Sequence, residues 1–261
     1  MTTLALAARD SATMTRRQLR HVLRYPVSLV VAVAVPVLLL LLFIGVFGGA
    51  LKAGLGAFSH RAYIDYVMPG IIVMTAAYGS SVTAMAVNRD STEGIIGRFR
   101  TMAISPTSML NGYVLSALAR TLISVVLVTS VAAGLGFRSP AGPGHWLAAA
   151  GLTALLVLAL SWLAVACGLA ARTAEGTSGF TLIVQLLPFI SSAFVPTAHM
   201  AGWVRWLAAN QPFTPVIDTV RGLLTGTPDG GSALAAVAWC AGLALAGYVW
   251  ARVLFRRDVS R

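Results

Sequence analysis

The sequence predicts an all-α integral membrane protein: six transmembrane helices, a cytoplasmic amphipathic N-terminal helix, and an outer re-entrant hairpin between helices 5 and 6. Three observations carry that expectation. Hydrophobic residues make up 57% of the 261 residues and charged ones only 10%, a balance that would leave a soluble domain of this size with a mostly apolar surface. Six stretches are apolar enough, and long enough at about 20 residues, to cross roughly 30 Å of hydrocarbon as helices. The basic residues gather on one side of those stretches, as the positive-inside rule requires of a plasma-membrane protein.

Residues 1–25 place Leu19, Val22 and Leu23 among Arg16, Arg17, Arg20 and Arg24, a basic amphipathic pattern suited to lying in the inner headgroup layer. Pro26 then bends the chain into the membrane. The first apolar run is too long for the h-region of a cleavable signal and is expected to stay as the first span. The membrane domain is 26–254, with spans at about 26–48, 65–88, 106–137, 145–171, 177–197 and 231–253, and 255–261 is a cytoplasmic tail. The loop after the first span is short and glycine-rich, with no room for an outer domain.

The most informative polar segment joins the second and third spans. Apolar Ile95, Ile96, Phe99 and Met102 recur near helical spacing against Arg89, Glu93, Arg98 and Arg100, which predicts a short amphipathic helix on the membrane surface. Ser105 and Pro106 supply an N-cap and a first-turn proline for the third span. Arg120 interrupts that span about 21 Å along from Pro106 at 1.5 Å per residue. Either it lines a pathway facing the bundle interior, or it packs and snorkels inward with 121–137 spanning alone. Pro188 and Pro196 break the fifth span, and Trp203 and Trp206 follow as an aromatic anchor at the outer headgroup level.

With both termini cytoplasmic, the inner segments hold Arg9, Arg16, Arg17, Arg20, Arg24, Arg89, Arg98, Arg100, Arg172, Arg252, Arg256, Arg257 and Arg261. The outer ones hold only Lys52, Arg61, Arg138, Arg205 and Arg221. Orientation therefore explains the net charge of +11. A nucleic-acid partner does not, because the basic residues are scattered and lack aromatic interleaving.

Several chemistries are excluded on the same residues. Cys167 and Cys240 fall within spans, which disfavours a disulfide. His21, His60, His145 and His199 are far apart and no acidic or thiol set completes a metal site. Gly176-Thr177-Ser178-Gly179 resembles an intramembrane serine-protease motif, yet Ser178 lies near the inner face while His145 and His199 lie near the outer one, so no base reaches it. The only lysine is Lys52 and no phosphate loop exists, so ATP would have to be hydrolysed by another chain. Near-absence of charge inside the spans and of an inverted repeat argues against ion-coupled transport.

The order and spacing of these pieces resembles the type-2 permeases of ATP-binding-cassette exporters, the group associated with daunorubicin and doxorubicin resistance in particular. The resemblance covers essentially the whole chain. It rests on Arg24-Tyr25-Pro26, on Met68-Pro69-Gly70, on Glu93-Gly94 and Arg98 ahead of Ser105-Pro106, and on the late series Pro188, Pro196, Trp203, Asn210-Gln211-Pro212 and Arg221-Gly222. His199-Met200-Ala201-Gly202-Trp203 departs from relatives that often carry a proline before the tryptophan.

The resemblance implies a membrane subunit without its own ATPase, paired with a second permease copy as a homodimer or related heterodimer. A separate cytoplasmic ABC ATPase would use the ATP, and this chain would bind no cofactor. By that likeness Arg89, Glu93, Gly94, Arg98, Phe99 and Arg100 belong to the coupling helix that rests on the ATPase. The implied cargo is a hydrophobic or amphipathic, drug-like compound moved outward. A lipid or lipid-linked glycan exporter, or a non-transporting membrane assembly protein, are the alternatives. One lysine beside eighteen arginines suits a GC-rich actinobacterial genome and a bacterial plasma membrane.

Overall fold

Apolar residues without interruption give helices here, and the helices stop where glycine, proline or a polar cap intervenes. The computed structural model describes residues 26–47, 60–94, 106–171, 173–195 and 200–257. The expected N-terminal interfacial helix over 1–25 lies outside the described residues. Within them every regular element is a helix. In chain order these are α1 (Pro26–Leu42, continuing as a π-helical turn Phe43–Phe47), α2 (His60–Thr92), α3 (Pro106–Gly134) and α4 (Pro143–Ala170). They are followed by α5 (Ala174–Leu186, then a 3-10 turn Leu187–Ile190), α6 (Gly202–Ala209), α7 (Phe213–Thr225) and α8 (Gly230–Arg257).

Four of these are long and apolar enough to cross a membrane: Tyr63–Thr92, Met109–Gly134, Pro143–Ala170 and Gly230–Phe255. The remaining two expected spans are represented by shorter apolar stretches, Val33–Gly45 and Ala174–Ile190. For the fifth the physical cause is local. Thr173 starts α5 by accepting a hydrogen bond from the Gly176 N–H at 3.3 Å, and Pro188 tightens the winding into a 3-10 turn because it lacks an N–H to donate. The α-helix thus ends at Leu186, well short of the expected 197. The second helix differs in the opposite sense, running on from 88 to Thr92 until Gly94 takes φ +71°, a left-handed conformation that glycine adopts without a Cβ penalty.

Helices α2 and α4 form the centre, and α3 and α8 flank them with long apolar faces turned outward. Glycines set this arrangement. A Cβ on Gly168 of α4 would lie 2.6 Å from the Ala84 carbonyl oxygen of α2, and one on Gly247 of α8 would lie 2.7 Å from the Leu163 nitrogen of α4. Two apolar clusters result. The larger runs through α2, α4 and α7 and includes Met68, Ile71, Met74, Leu156 and Ile217; the smaller, at the Arg89 end, joins Val87, Met109, Tyr113, Trp162 and Phe255. Cys167 and Cys240 are both free thiols.

Where the sequence predicts an outer hairpin, between α5 and α8, lie the two short helices α6 and α7. Trp203 and Trp206 project from α6 and are 75% and 69% exposed. By contrast α7 buries Phe213, Val216, Ile217, Val220 and Leu224 against α2, α4 and α8. Gly226 at φ +79° closes α7, and three residues later Asp229 opens α8. Its carboxylate accepts from the Ser232 N–H at 2.8 Å and the Ser232 hydroxyl at 2.8 Å.

Those donors hold the Asp229 carboxyl below its ordinary range. The cap therefore contributes its stability above the ordinary aspartate value of about 3.9 and loses it as pH falls through the lower folded value. Asp229→Asn is expected to flatten the acid limb of the thermal midpoint below about pH 4, measured on the detergent-solubilised chain. An acid limb identical to wild type would remove the assignment.

Candidate functional site

Three polar constellations stand out against the apolar bundle, one at each end and one at mid-depth. At the Arg89 end, the last turn of α2 is fastened on two sides. Asn88 is buried and donates from Nδ2 to the Ala171 oxygen at 2.6 Å and the Gly168 oxygen at 3.3 Å, satisfying carbonyls that the end of α4 leaves free. The Tyr113 hydroxyl of α3 donates to Asp90. So α2 is tied to both α3 and α4 within a single turn.

Beyond this anchor Arg89 Nε donates to Glu93 Oε1 at 2.7 Å across an exposed i,i+4 pair. Such a surface pair adds little stability, because water screens it. It does hold a charged edge at the tip of a rigid central helix. Of the residues expected to meet an ATPase, Arg89, Glu93 and Gly94 sit together on this tip, while Arg98, Phe99 and Arg100 lie outside the described residues. Arg89 belongs to the span's own last turn, because the helix does not break until Gly94.

At mid-depth Arg120 reaches from α3 to α2. Its Nη2 donates to the Gly79 carbonyl oxygen at 3.1 Å and to Thr83 Oγ1 at 2.9 Å. Thr83 also donates to the same Gly79 oxygen at 3.0 Å. The absence of a side chain at Gly79 permits this approach, since a Cβ there would fall 2.2 Å from Thr121 Oγ1.

At the opposite end a knot of polar groups joins α7 to α2 and to the turn after α5. Arg221 donates from Nη1 to Asp218 Oδ1 at 2.6 Å, from Nη2 to the Ser192 oxygen at 2.6 Å, and from Nε to the Tyr66 oxygen at 3.3 Å. Its guanidinium lies 4.1 Å from the centroid of the Tyr66 ring. Tyr66 donates its hydroxyl to the Ser192 oxygen at 3.0 Å, and Ser192 donates to Asp218 Oδ1 at 2.7 Å. Close by, Gly70 of α2 admits Ala193, whose Cβ would be 2.6 Å from a Cβ on residue 70. The sequence marks Arg221-Gly222 only as part of a hairpin. The i,i+3 spacing of Asp218 and Arg221 was the available signal, but their partners are 155 and 29 residues away from Arg221.

Ser178 donates to the Ala174 carbonyl of its own helix at 3.0 Å, a bond that a helical serine makes for local reasons. Among the described residues no group of three or more His, Cys, Asp or Glu could hold a metal ion.

The sequence pattern of the ABC-2 type transporter family matches residues 10–225. The chain is 30% identical over 229 residues to the daunorubicin resistance ABC transporter permease protein DrrB1 of Streptomyces coeruleorubidus, covering 85% of this chain and 78% of that protein. It is 23% identical over 243 residues to the probable doxorubicin resistance ABC transporter permease protein DrrC of Mycobacterium tuberculosis, covering 93% and 87%. A putative transport permease, ycf38 of Porphyra purpurea, is 25% identical over 218 residues, covering 82% and 73%.

Proposed function

This chain belongs to the ABC-2 type transporter family, and from that premise we propose that it is the membrane subunit of an ATP-driven exporter of hydrophobic or amphipathic, drug-like compounds. Two copies, or this chain and a related one, form the membrane pathway in a bacterial plasma membrane. Each copy crosses six times, with α1 and α5 as the short crossings, α6 and α7 as a partly re-entrant outer hairpin, and both termini in the cytoplasm. The ATPase is a separate cytoplasmic chain. The drug-resistance permeases among its relatives support the cargo class.

The observation that carries the reading is the fastening of the α2 tip. ATP-driven movement of a soluble domain does work on a membrane only through an element that is rigid and that both sides touch. The Arg89–Glu93 edge is continuous with α2, the central helix, and Asn88 and Asp90 lock that helix to α4 and α3 at the same level. A displacement applied at Glu93 therefore moves three helices together. It alternates access provided the two arrangements differ in affinity for cargo and nucleotide.

Co-expression with candidate ABC ATPases, followed by nucleotide-dependent efflux of dyes and anthracyclines, tests the reading. Wild type is expected to confer efflux only when both chains are present. Glu93→Ala and Arg98→Glu are expected to abolish efflux and co-purification of the ATPase while the protein still inserts. Wild-type efflux and co-purification in both variants would remove the coupling assignment, and the absence of any ATPase that supports efflux would favour a non-transporting assembly role.

A further inference from the structure

Near its C-terminal end α8 carries an arginine whose side chain is held in place yet has no acid to meet. Arg252 donates from Nη1 to the Tyr248 hydroxyl at 2.9 Å, one turn back on the same helix, and its guanidinium lies 5.4 Å from the centroid of the Tyr248 ring. Tyr248 is held in turn, because its ring meets Trp162 of α4 edge to face at 4.9 Å and 88°, and Trp162 is itself buried in the cluster at the Arg89 end. The guanidinium is thus positioned through two aromatic contacts that reach the core.

Most of its donors are unspent. A guanidinium carries five N–H donors and a tyrosine hydroxyl can give one bond while it accepts another. Among the described residues the Nη1 bond is the one hydrogen bond of this pair, and the ion pairs there are Arg89–Glu93 and Arg221–Asp218. Neither Tyr248 nor Arg252 is buried, so the remaining donors are open from outside the bundle. What they need is an acceptor, and a negatively charged one makes the strongest bonds.

Depth and surroundings say which acceptor is at hand. Arg252 lies about 33 Å along α8 from Gly230 at 1.5 Å per residue, so a helix that crosses roughly 30 Å of hydrocarbon delivers it to the level of the headgroups. The same face of α8 turns apolar one and two turns deeper, where Val249 and Leu245 are 50% and 65% exposed. Donors at headgroup level above an exposed apolar stripe match the two ends of a phospholipid.

We propose that Tyr248 and Arg252 form a binding site for the phosphate of an anionic phospholipid in the cytoplasmic leaflet, with an acyl chain lying along Leu245 and Val249. A planar guanidinium offers paired donors to phosphate oxygens, and the tyrosine hydroxyl adds a third. An anionic lipid such as phosphatidylglycerol brings its full negative charge to the arginine, whereas the choline of a zwitterionic lipid offsets it. The inference goes beyond the exporter reading and needs only that α8 crosses the bilayer.

The test uses the full chain in phosphatidylcholine vesicles, without ATPase or nucleotide, containing a trace of photoreactive phosphatidylglycerol or of photoreactive phosphatidylcholine with the same acyl chains. The phosphatidylglycerol probe is expected to label wild type within residues 245–253 several-fold more than the phosphatidylcholine probe. Arg252→Gln should lower its labelling about tenfold, the loss of charge-assisted hydrogen bonds, and Tyr248→Phe about threefold. Arg257→Gln removes the same charge about 140° around the helix from Arg252 and should change labelling less than twofold.

Equal labelling by the two lipids, adducts mapping elsewhere, or equal labelling of wild type and Arg252→Gln would each overturn the proposal. A drop in Arg257→Gln as large as that in Arg252→Gln would reduce the effect to surface charge, and displacement of the probe by inorganic phosphate would assign the site to a soluble anion; either result also overturns it. If Arg252→Gln does not fold, the wild-type adduct map and Tyr248→Phe decide it. Labelling needs neither ATP nor cargo, so failed efflux leaves this site standing and failed labelling leaves the exporter reading standing.

Discussion

Arg221→Ala should loosen the α7 hairpin from the bundle and lower stability by about 2–4 kcal/mol. The figure combines charge-assisted hydrogen bonds at about 1.5–3 kcal/mol with a cation–π contact of about 0.5–1 kcal/mol. Arg221 touches three elements: Asp218 on its own helix, the Tyr66 backbone and ring on α2, and the Ser192 carbonyl after α5. Its side chain is 17% exposed and that of Asp218 is 40% exposed. Removing the arginine takes a charged donor from two backbone carbonyls and a carboxylate at once, leaving the Ser192 carbonyl with the Tyr66 hydroxyl and Asp218 with the Ser192 hydroxyl, whereas removing the carboxylate leaves a guanidinium with two carbonyls still bound. Asp218→Asn should therefore cost less than Arg221→Ala. Thermal midpoints of the detergent-solubilised variants measure this ordering, and an Arg221→Ala midpoint equal to wild type would remove the knot as a structural element.

Gly168→Leu is the second large effect. The helices α2 and α4 meet where residue 168 has no side chain, and even a Cβ would stand 2.6 Å from the Ala84 oxygen and 2.9 Å from Val87 Cβ. A backbone carbonyl cannot rotate away, so the helices must separate. Overpacking of this kind costs about 1–3 kcal/mol for a few methylenes and more for a whole side chain. Separation also pulls Asn88 from the Gly168 and Ala171 carbonyls that it caps, and so unfastens the tip of α2. Loss of export together with a lowered midpoint is expected for Gly168→Leu. Gly242→Ala on α8, which meets nothing within 4 Å, should match wild type in both. Equal behaviour of the two variants would show that the α2–α4 approach is not close in the membrane.

Much of this architecture is legible in the residues alone. A backbone in hydrocarbon must satisfy its own hydrogen bonds, so long apolar runs can only be helices, and among the described residues four helices are long and apolar enough to cross a membrane. Proline at 188 marks the shortening of α5, although the run of apolar residues continues past it and hides where the helix stops. Gly94 illustrates the opposite limit. Its amphipathic surroundings read as one surface helix from Arg89, but a single left-handed glycine assigns Arg89 and Glu93 to the end of α2.

Composition, hydropathy and charge asymmetry determined by themselves that this protein is a helical membrane protein and in what order its helices come. Those properties are local sums along the chain, set by how each segment partitions between water and lipid. Only the tertiary structure decided that α2 and α4 are central, that Arg120 reaches Gly79 and Thr83, and that Arg221 binds Tyr66 and Ser192. Lipid is indifferent to which apolar face meets which, so side-chain partners far apart in sequence are chosen by close packing at glycines and by polar groups seeking the few acceptors within reach.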